Sequence, residues 1–430
     1  MAELASVRQV KSKTAKDIIS TILTRGITLF GGFIVSILLA RFLGAEGRGI
    51  VTVIFMVPTL ILTIADLGIR QATAYYVGQK LYDLNDIVKT SYFIWAITSI
   101  TSVLFIAGYF GFFYYGKYSI TLLLIALLSV PFSLFSKYSN GILQGKDKIS
   151  KINNLELLNI IFNMLAVIVL VGLLKLDVLG ATIVYLFLGI MIAIQSYAMV
   201  QKLSPIRLGY VKGLPWKLVK KGIAYATALF ILQLNYRLNI LMLEHYSDVK
   251  SIGIFTVGTT LAELIWQLPA AAGMVLFAKS ANSKTESEAI NRAAKLLRVL
   301  LPVAFAACLF IAVFSPFIVK VLYGEEFVDA AQVIRLLMPG IFVMFFFKVL
   351  NADLAGRGKP LFALAIYILP LLLNVALNYY LIPLYNINGT AIASSVSYMI
   401  GAILFLFVYA KNTGLKLVDL LIIKRSDLKR

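Results

Sequence analysis

Long apolar runs divided by short polar breaks dominate this chain. The runs fall at roughly 18–42, 49–78, 88–113, 119–143, 154–174 and 178–201, then at 222–246, 252–279, 294–322, 331–355, 360–383 and 389–410. Most approach or exceed the ~20 residues a helix needs to cross ~30 Å of hydrocarbon. The pattern therefore predicts an all-α polytopic membrane protein with twelve spanning helices. Breaks on one side are only six or seven residues long, such as Tyr323–Asp329, which leaves no room for a soluble domain. The one long break, 202–221, carries Pro205, Pro215 and a cluster of lysines. It divides the chain into two expected six-helix bundles, 1–210 and 211–430.

The first run follows Arg8, Lys11, Lys13 and Lys16, a basic cluster like the start of a secretory signal. A signal's apolar core is ~7–15 residues long. The run at 18–42 is longer, so it is expected to be the first membrane helix.

Composition agrees with lipid as the main solvent. The 430 residues are 60% hydrophobic and 14% charged, with a mean hydropathy of +0.90, whereas a soluble domain is about a quarter charged. Forty Lys and Arg against twenty Asp and Glu give +20, a balance that in a soluble protein would suggest nucleic acid. The basic residues instead lie scattered in the polar breaks. With the N-terminus inside, the cytoplasmic segments with their flanking helix ends (1–17, 79–89, 137–151, 202–221, 279–298, 356–359 and 411–430) hold 29 Lys and Arg, and the outer side holds 6. That asymmetry predicts a cytoplasmic-membrane protein with both termini in the cytoplasm. A single Cys (Cys308) and a single His (His245) permit neither an intrachain disulfide nor a His-rich metal site, and no cofactor is expected.

The two halves also repeat. Lys137, Asn140, Leu143 and Gly145 form K-x-x-N-x-x-L-x-G, and Lys348, Asn351, Leu354 and Gly356 repeat it at an offset of 211. The same offset pairs Asn163 with Asn374, and "RFLGAEGRGIVTV" answers "HYSDVKSIGIFTV" at an offset of 204. Six spans is an even number, so both halves enter from one side. The repeat is then parallel, with a pseudo-twofold axis along the membrane normal, an arrangement in which transporters hold substrate between two rocking halves.

Particular segments carry a family likeness. "LLARFLGAEGRGIVTVIFMVPTLILTIADLGIRQATAYYVG", "LYGEEFVDAAQVIRLLMPGIF" and "LNYYLIPLYNINGTAIASSVSY" resemble the Wzx-type oligosaccharide flippases, the polysaccharide-transporter branch of the MOP superfamily. The resemblance covers nearly the whole chain. It implies a MATE-like fold and translocation of polyprenyl-diphosphate-linked oligosaccharide for cell-surface polysaccharide, alongside polysaccharide-assembly proteins. It does not name the sugar.

Charges within the apolar runs supply the candidate site. An ionisable group in a spanning helix costs a few kcal/mol and by default marks a cavity. Arg237 lies ~14 Å deep in span seven, with Gln233 one turn away. Arg25, in span one, could fork onto a diphosphate or snorkel to the headgroups. The repeat-matched Lys137 and Lys348 face the same choice. Asp66 and Arg70 read as an i,i+4 pair, and Asn235 and Asn239 as bonds to a neighbouring helix. Arg237 and Glu263 fall at similar depth on the antiparallel spans seven and eight. There Glu263, like Asp66, is a candidate for coupling transport to H⁺ or Na⁺.

Two other functions compete. A multidrug exporter of the same superfamily captures cations and needs acidic groups in its N-terminal cavity, but span one has Arg25 and no acid between Asp17 and Glu46. A membrane glycosyltransferase or polymer ligase needs a sizeable loop with clustered acids. These loops are too short, and no D-x-D occurs.

Overall fold

A computed structural model describes residues 2–281, 283, 285–359, 362–424 and 427; of residues 2–19, 22, 228, 278 and 363–365 it describes the backbone alone. The basic cluster Arg8, Lys11, Lys13 and Lys16 therefore lies outside the described side chains, and Lys284 outside the described residues. Among the described residues all regular structure is helical: α1 Ala2–Ala65, α2 Ile69–Gly78, α3 Leu84–Tyr109, α4 Ile120–Gly145, α5 Ile149–Ala166, α6 Asp177–Gln201, α7 Leu214–Tyr246, α8 Val249–Glu263, α9 Gln267–Ala281, α10 Glu286–Tyr323, α11 Ala330–Gly356, α12 Phe362–Thr413 and the short α13 Leu417–Leu421.

Ten helical segments among the described residues are long and apolar enough to cross a membrane, not the twelve separate ones expected. Two are of double length, Leu23–Gly78 and Ile366–Thr413, with 56 and 48 residues. Straight helices of that size would be ~70–85 Å long, far beyond the hydrocarbon core. Each is interrupted at one residue that leaves helical geometry, Gly44 (φ 66°, ψ −176°) in α1 and Asn386 (φ 50°, ψ −130°) in α12. Spans one and two thus run together, as do spans eleven and twelve, because a single non-helical residue turns the chain at each polar break.

Two expected spans are themselves broken. Span two stops at Ala65 and restarts at Ile69, with Leu67 and Gly68 at positive φ (48° and 64°). Asp66 and Arg70 therefore do not form the expected helical i,i+4 pair. Span eight tightens to a 3₁₀ turn at Leu264–Trp266, a geometry that recurs at strained or functional points of helices.

The chain forms two compact units. One comprises residues 1–43 and 54–230, and the other 44–53 and 231–430. In the first, α4 lies against α2, α3 and α6. In the second, α11 lies against α8, α9, α10 and α12. The two packing helices carry the K-x-x-N-x-x-L-x-G match. Its glycines do the same work in each: a Cβ on Gly145 would sit 2.6 Å from Val77 Cβ, and one on Gly356 2.6 Å from the Phe277 carbonyl oxygen.

The second match has a spatial counterpart inside the second unit. A Cβ on Gly49 would lie 1.9 Å from the Val249 oxygen, and one on Gly253 1.9 Å from the Ala45 oxygen. Residues 45 and 49 correspond to 249 and 253 at the 204-residue offset, so the two contacts exchange under the repeat. No side chain fits at either glycine, and the backbones touch.

Two ion-pair groups brace the second unit. Arg298 is buried and forks onto Asp427, with Nε and Nη2 donating at 2.6 and 2.8 Å, while Nη1 donates to the Asp419 carbonyl. The hydrogen bond from Arg298 holds the Asp427 carboxyl down at about 2. Asp353, fully buried, accepts from Ser280 (2.7 Å), Tyr409 (2.8 Å) and Arg357 Nε (2.9 Å).

Candidate functional site

Arg237, Glu263 and Lys348 gather in the second unit, whereas Arg25, Asp66, Arg70 and Lys137 lie in the first. The 3₁₀ turn after α8 puts Glu263 and Trp266 on one side of a helix break, where α7 presents Tyr236 and Arg237 and α11 presents Lys348. Arg237 Nη2 lies 3.5 Å from Glu263 Oε2, a long contact, with the two side chains 35% and 22% exposed. Neither is sealed away, so the pair is open to competition from an outside charge.

Lys348 is held differently. Its Nζ sits 4.2 Å from the centre of the Trp266 ring and 5.4 Å from that of Tyr236, within the ~6 Å over which an aromatic face attracts a cation. Tyr236, Trp266 and Tyr398 contact one another at centroid separations of 5.3, 5.6 and 5.8 Å. Trp266 Nε1 donates to the Ile341 carbonyl at 3.2 Å, which fixes the indole. The charge of Glu263 also acts on Lys348. Two cations thus share one carboxylate, and the Lys348 ammonium makes no hydrogen bond among the described residues. Such a cluster can accept an anion without an unpaired carboxylate to repel it.

Lys137 occupies the matching place in the first unit with another partner. Its Nζ donates to the Leu62 carbonyl at 2.9 Å, and Tyr138 Oη donates to the Ala65 carbonyl at 3.3 Å. Both carbonyls belong to the last turn of α1, just before the chain leaves helical geometry at residues 66–68. Asp66 is buried beside them, and Lys137 and then Arg70 are the cations that act on it. Arg25 is exposed in the same unit, and Arg335 is exposed with Nε donating to the Ala312 carbonyl at 3.1 Å.

The asparagines form a network of their own. Asn235 donates to the Tyr367 carbonyl (3.3 Å), Asn239 to Ser394 Oγ (2.7 Å), and Asn378 to Asn239 Oδ1 (3.1 Å). Sequence reasoning missed the aromatic triad, the Asp353 network and the Arg298–Asp427 fork. Trp266 was findable: it is one of three Trp in the chain and lies three residues after Glu263.

The Polysaccharide biosynthesis protein family model matches residues 14–277, more than half of the chain. The chain belongs to that family. A second model, MatE, matches residues 225–380, and both place this member in the MOP superfamily as a multi-pass membrane transporter. A "Putative O-antigen transporter" of Shigella flexneri is 23% identical over 154 residues, 35% of this chain and 37% of that relative. The match thus spans little more than a third of the relative. Two solved structures share the fold. The lipid II flippase MurJ, in an inward closed conformation, has a TM-score of 0.73 at 16% identity, covering 94% of this chain and 89% of that one. An inward-facing multidrug resistance MATE family transporter has a TM-score of 0.70 at 16% identity, covering 90% and 94%.

Proposed function

We propose that this family member is a flippase that carries lipid-linked oligosaccharide, anchored through a polyprenyl diphosphate, across the cytoplasmic membrane for cell-surface polysaccharide. The observation that carries this reading is the excess of cations at the site: Arg237 and Lys348 against the single carboxylate of Glu263. A diphosphate is a dense anion with many acceptor oxygens. The planar guanidinium can meet it with two parallel hydrogen bonds, and the ammonium adds a point charge. Arg25, exposed in the first unit, is a separate candidate for a diphosphate. The two halves expected from the sequence, 1–210 and 211–430, would provide alternating access, with both termini in the cytoplasm.

The Arg237–Glu263 contact suggests how transport is driven. While the site is empty the guanidinium neutralises Glu263. When a diphosphate takes Arg237, the freed carboxylate binds H⁺ or Na⁺. Asp66, buried with Oδ1 lacking a hydrogen-bond partner among the described residues, is the second carboxylate suited to that work.

A second reading, a cation-coupled multidrug exporter, is favoured by the MATE-like fold and those same carboxylates. Reconstituted vesicles separate the two. The flippase reading expects protein-dependent movement of a fluorescent polyprenyl-diphosphate oligosaccharide between leaflets and no accumulation of a lipophilic cation. Ion-driven transport of the cation with a static diphosphate lipid would establish the exporter instead.

A further inference from the structure

The connector between α6 and α7 carries a surface that transport itself does not call on. Residues 202–221 contain Lys202, Arg207, Lys212, Lys217, Lys220 and Lys221 and no Asp or Glu, and all six cations are exposed. Between them stand three large apolar or amphipathic side chains that also face outward: Leu208 at 65%, Tyr210 at 57% and Trp216 at 69% exposure.

This loop is built, not loose. Ser204 Oγ donates to Asn85 Oδ1 at 2.6 Å, and the Val211 N–H to Thr90 Oγ1 at 3.4 Å, so both ends of 204–211 are pinned to the start of α3. Between the pins, the Ile206 N–H donates to Gln201 Oε1 at 2.8 Å, and the Tyr210 ring lies 4.9 Å from that of Phe93. The bow this forces puts Arg207 and Leu208 at its tip. Along α7, Lys217 donates to the Tyr82 hydroxyl (2.6 Å) and Lys221 lies 4.1 Å over the Tyr75 ring, which extends the surface to the turn where Leu81 is 54% exposed. At the start of α3, Asp83 caps the helix, accepting from the Asn85 N–H at 3.0 Å, and Asp86 pairs with Lys89 at 3.4 Å.

We propose that this connector surface docks on the anionic phospholipid headgroups of the leaflet beside it. Two features select that partner. The bow and Trp216 adjoin the ends of two membrane helices, Gln201 of α6 and Leu214 of α7, which is headgroup level, where Trp and Tyr settle. Six exposed cations at that level match a surface of negative lipid, where juxtamembrane Lys and Arg each add to attraction. Neither a zwitterionic surface nor water accounts for apolar tips set among cations. Docking would hold the connector flat on the membrane while the helices on either side of it move.

The test uses the full chain in vesicles without any diphosphate lipid, so its outcome is independent of the substrate proposed above. Leu208→Cys on a Cys308→Ser background carries an environment-sensitive fluorophore. Brominated phosphatidylglycerol or brominated phosphatidylcholine is supplied at equal mole fraction. Docking predicts quenching at least threefold stronger by the brominated phosphatidylglycerol, reduced toward parity by high salt because exposed charges are screened. Replacing Arg207, Lys212, Lys217 and Lys220 with Gln should abolish the preference. Equal quenching by both lipids, insensitive to salt, would overturn the proposal, as would no quenching by either. The salt series on the unsubstituted connector decides the matter even if the fourfold variant folds poorly.

Discussion

Lys137 and Lys348 stand at one position of the repeat, and so do the residues they touch, since Leu62 and Trp266 are separated by the 204-residue offset of the second match. The first lysine donates a hydrogen bond to the Leu62 carbonyl at 2.9 Å; the second lays its ammonium 4.2 Å over the Trp266 ring. Both touch a helix where its regular α geometry is interrupted. In the first unit the lysine donates to a carbonyl in the last turn before the break. In the second the chain stays helical through a 3₁₀ turn, and an indole replaces the leucine. The ammonium is then held by a face that attracts charge without satisfying its donors. The sequence match aligns two lysines, and in the structure one donates to a backbone carbonyl while the other lies over an aromatic face.

Removing Arg237 strikes hardest at the site in the second unit. Arg237→Ala should lower transport at least ~30-fold, the ~2 kcal/mol lost when one partner of a hydrogen-bonded charge pair is truncated, while the protein accumulates normally. Arg237→Lys should recover little, because an ammonium lacks the planar fork. Transport by the Ala variant at the unsubstituted rate would remove Arg237 from the site.

Glu263→Gln comes next. If Glu263 is the coupling carboxylate, flipping should lose its dependence on an imposed ion gradient while diphosphate-lipid affinity holds or rises. If it only joins two helices, the yield of folded protein should fall, since Arg237 is left without its counter-ion. Gradient dependence measured beside the size-exclusion profile separates these results.

The lysines themselves should part ways. Lys348→Met should weaken diphosphate-lipid binding ~10-fold, near the ~1.5 kcal/mol of one charge-assisted hydrogen bond, with little change in melting temperature. Lys137→Met should do the reverse: unchanged binding, and a loss of ~1–3 kcal/mol from the unsatisfied carbonyl, read as a lower melting temperature. Identical behaviour of the two variants would dissolve the comparison.

The smallest effect concerns the tail. Asp427 is held at about 2 by Arg298 against an ordinary 3.8. A depressed carboxyl contributes stability above its unfolded value and loses it as pH falls through the folded one. Protease protection of the C-terminal segment should therefore be flat from pH 7 to about 4, whereas Asp427→Asn should weaken it at neutral pH.

The apolar periodicity made the helical class legible, and the repeat made Lys137 and Lys348 legible as a pair. Their roles were not legible, because spacing counts residues and does not say which group each lysine touches. The break at 66–68 depends on backbone angles at Leu67 and Gly68, and a leucine at positive φ has no sequence signature. Asp353 escaped notice because its run reads as apolar; only the arrival of Ser280, Tyr409 and Arg357 from elsewhere in the unit makes its burial tolerable. Arg298 has no sequence signal either, since its partner lies 129 residues away.

The most direct measurement is binding of a polyprenyl-diphosphate disaccharide to the purified protein, compared across the unsubstituted chain, Lys137→Met, Lys348→Met and Arg237→Ala. The account predicts equal affinity for the first two, about tenfold weaker binding for Lys348→Met and the greatest loss for Arg237→Ala. Undiminished binding by Lys348→Met and Arg237→Ala would contradict it, as would a site that prefers a lipophilic cation and binds it more tightly once those charges are removed.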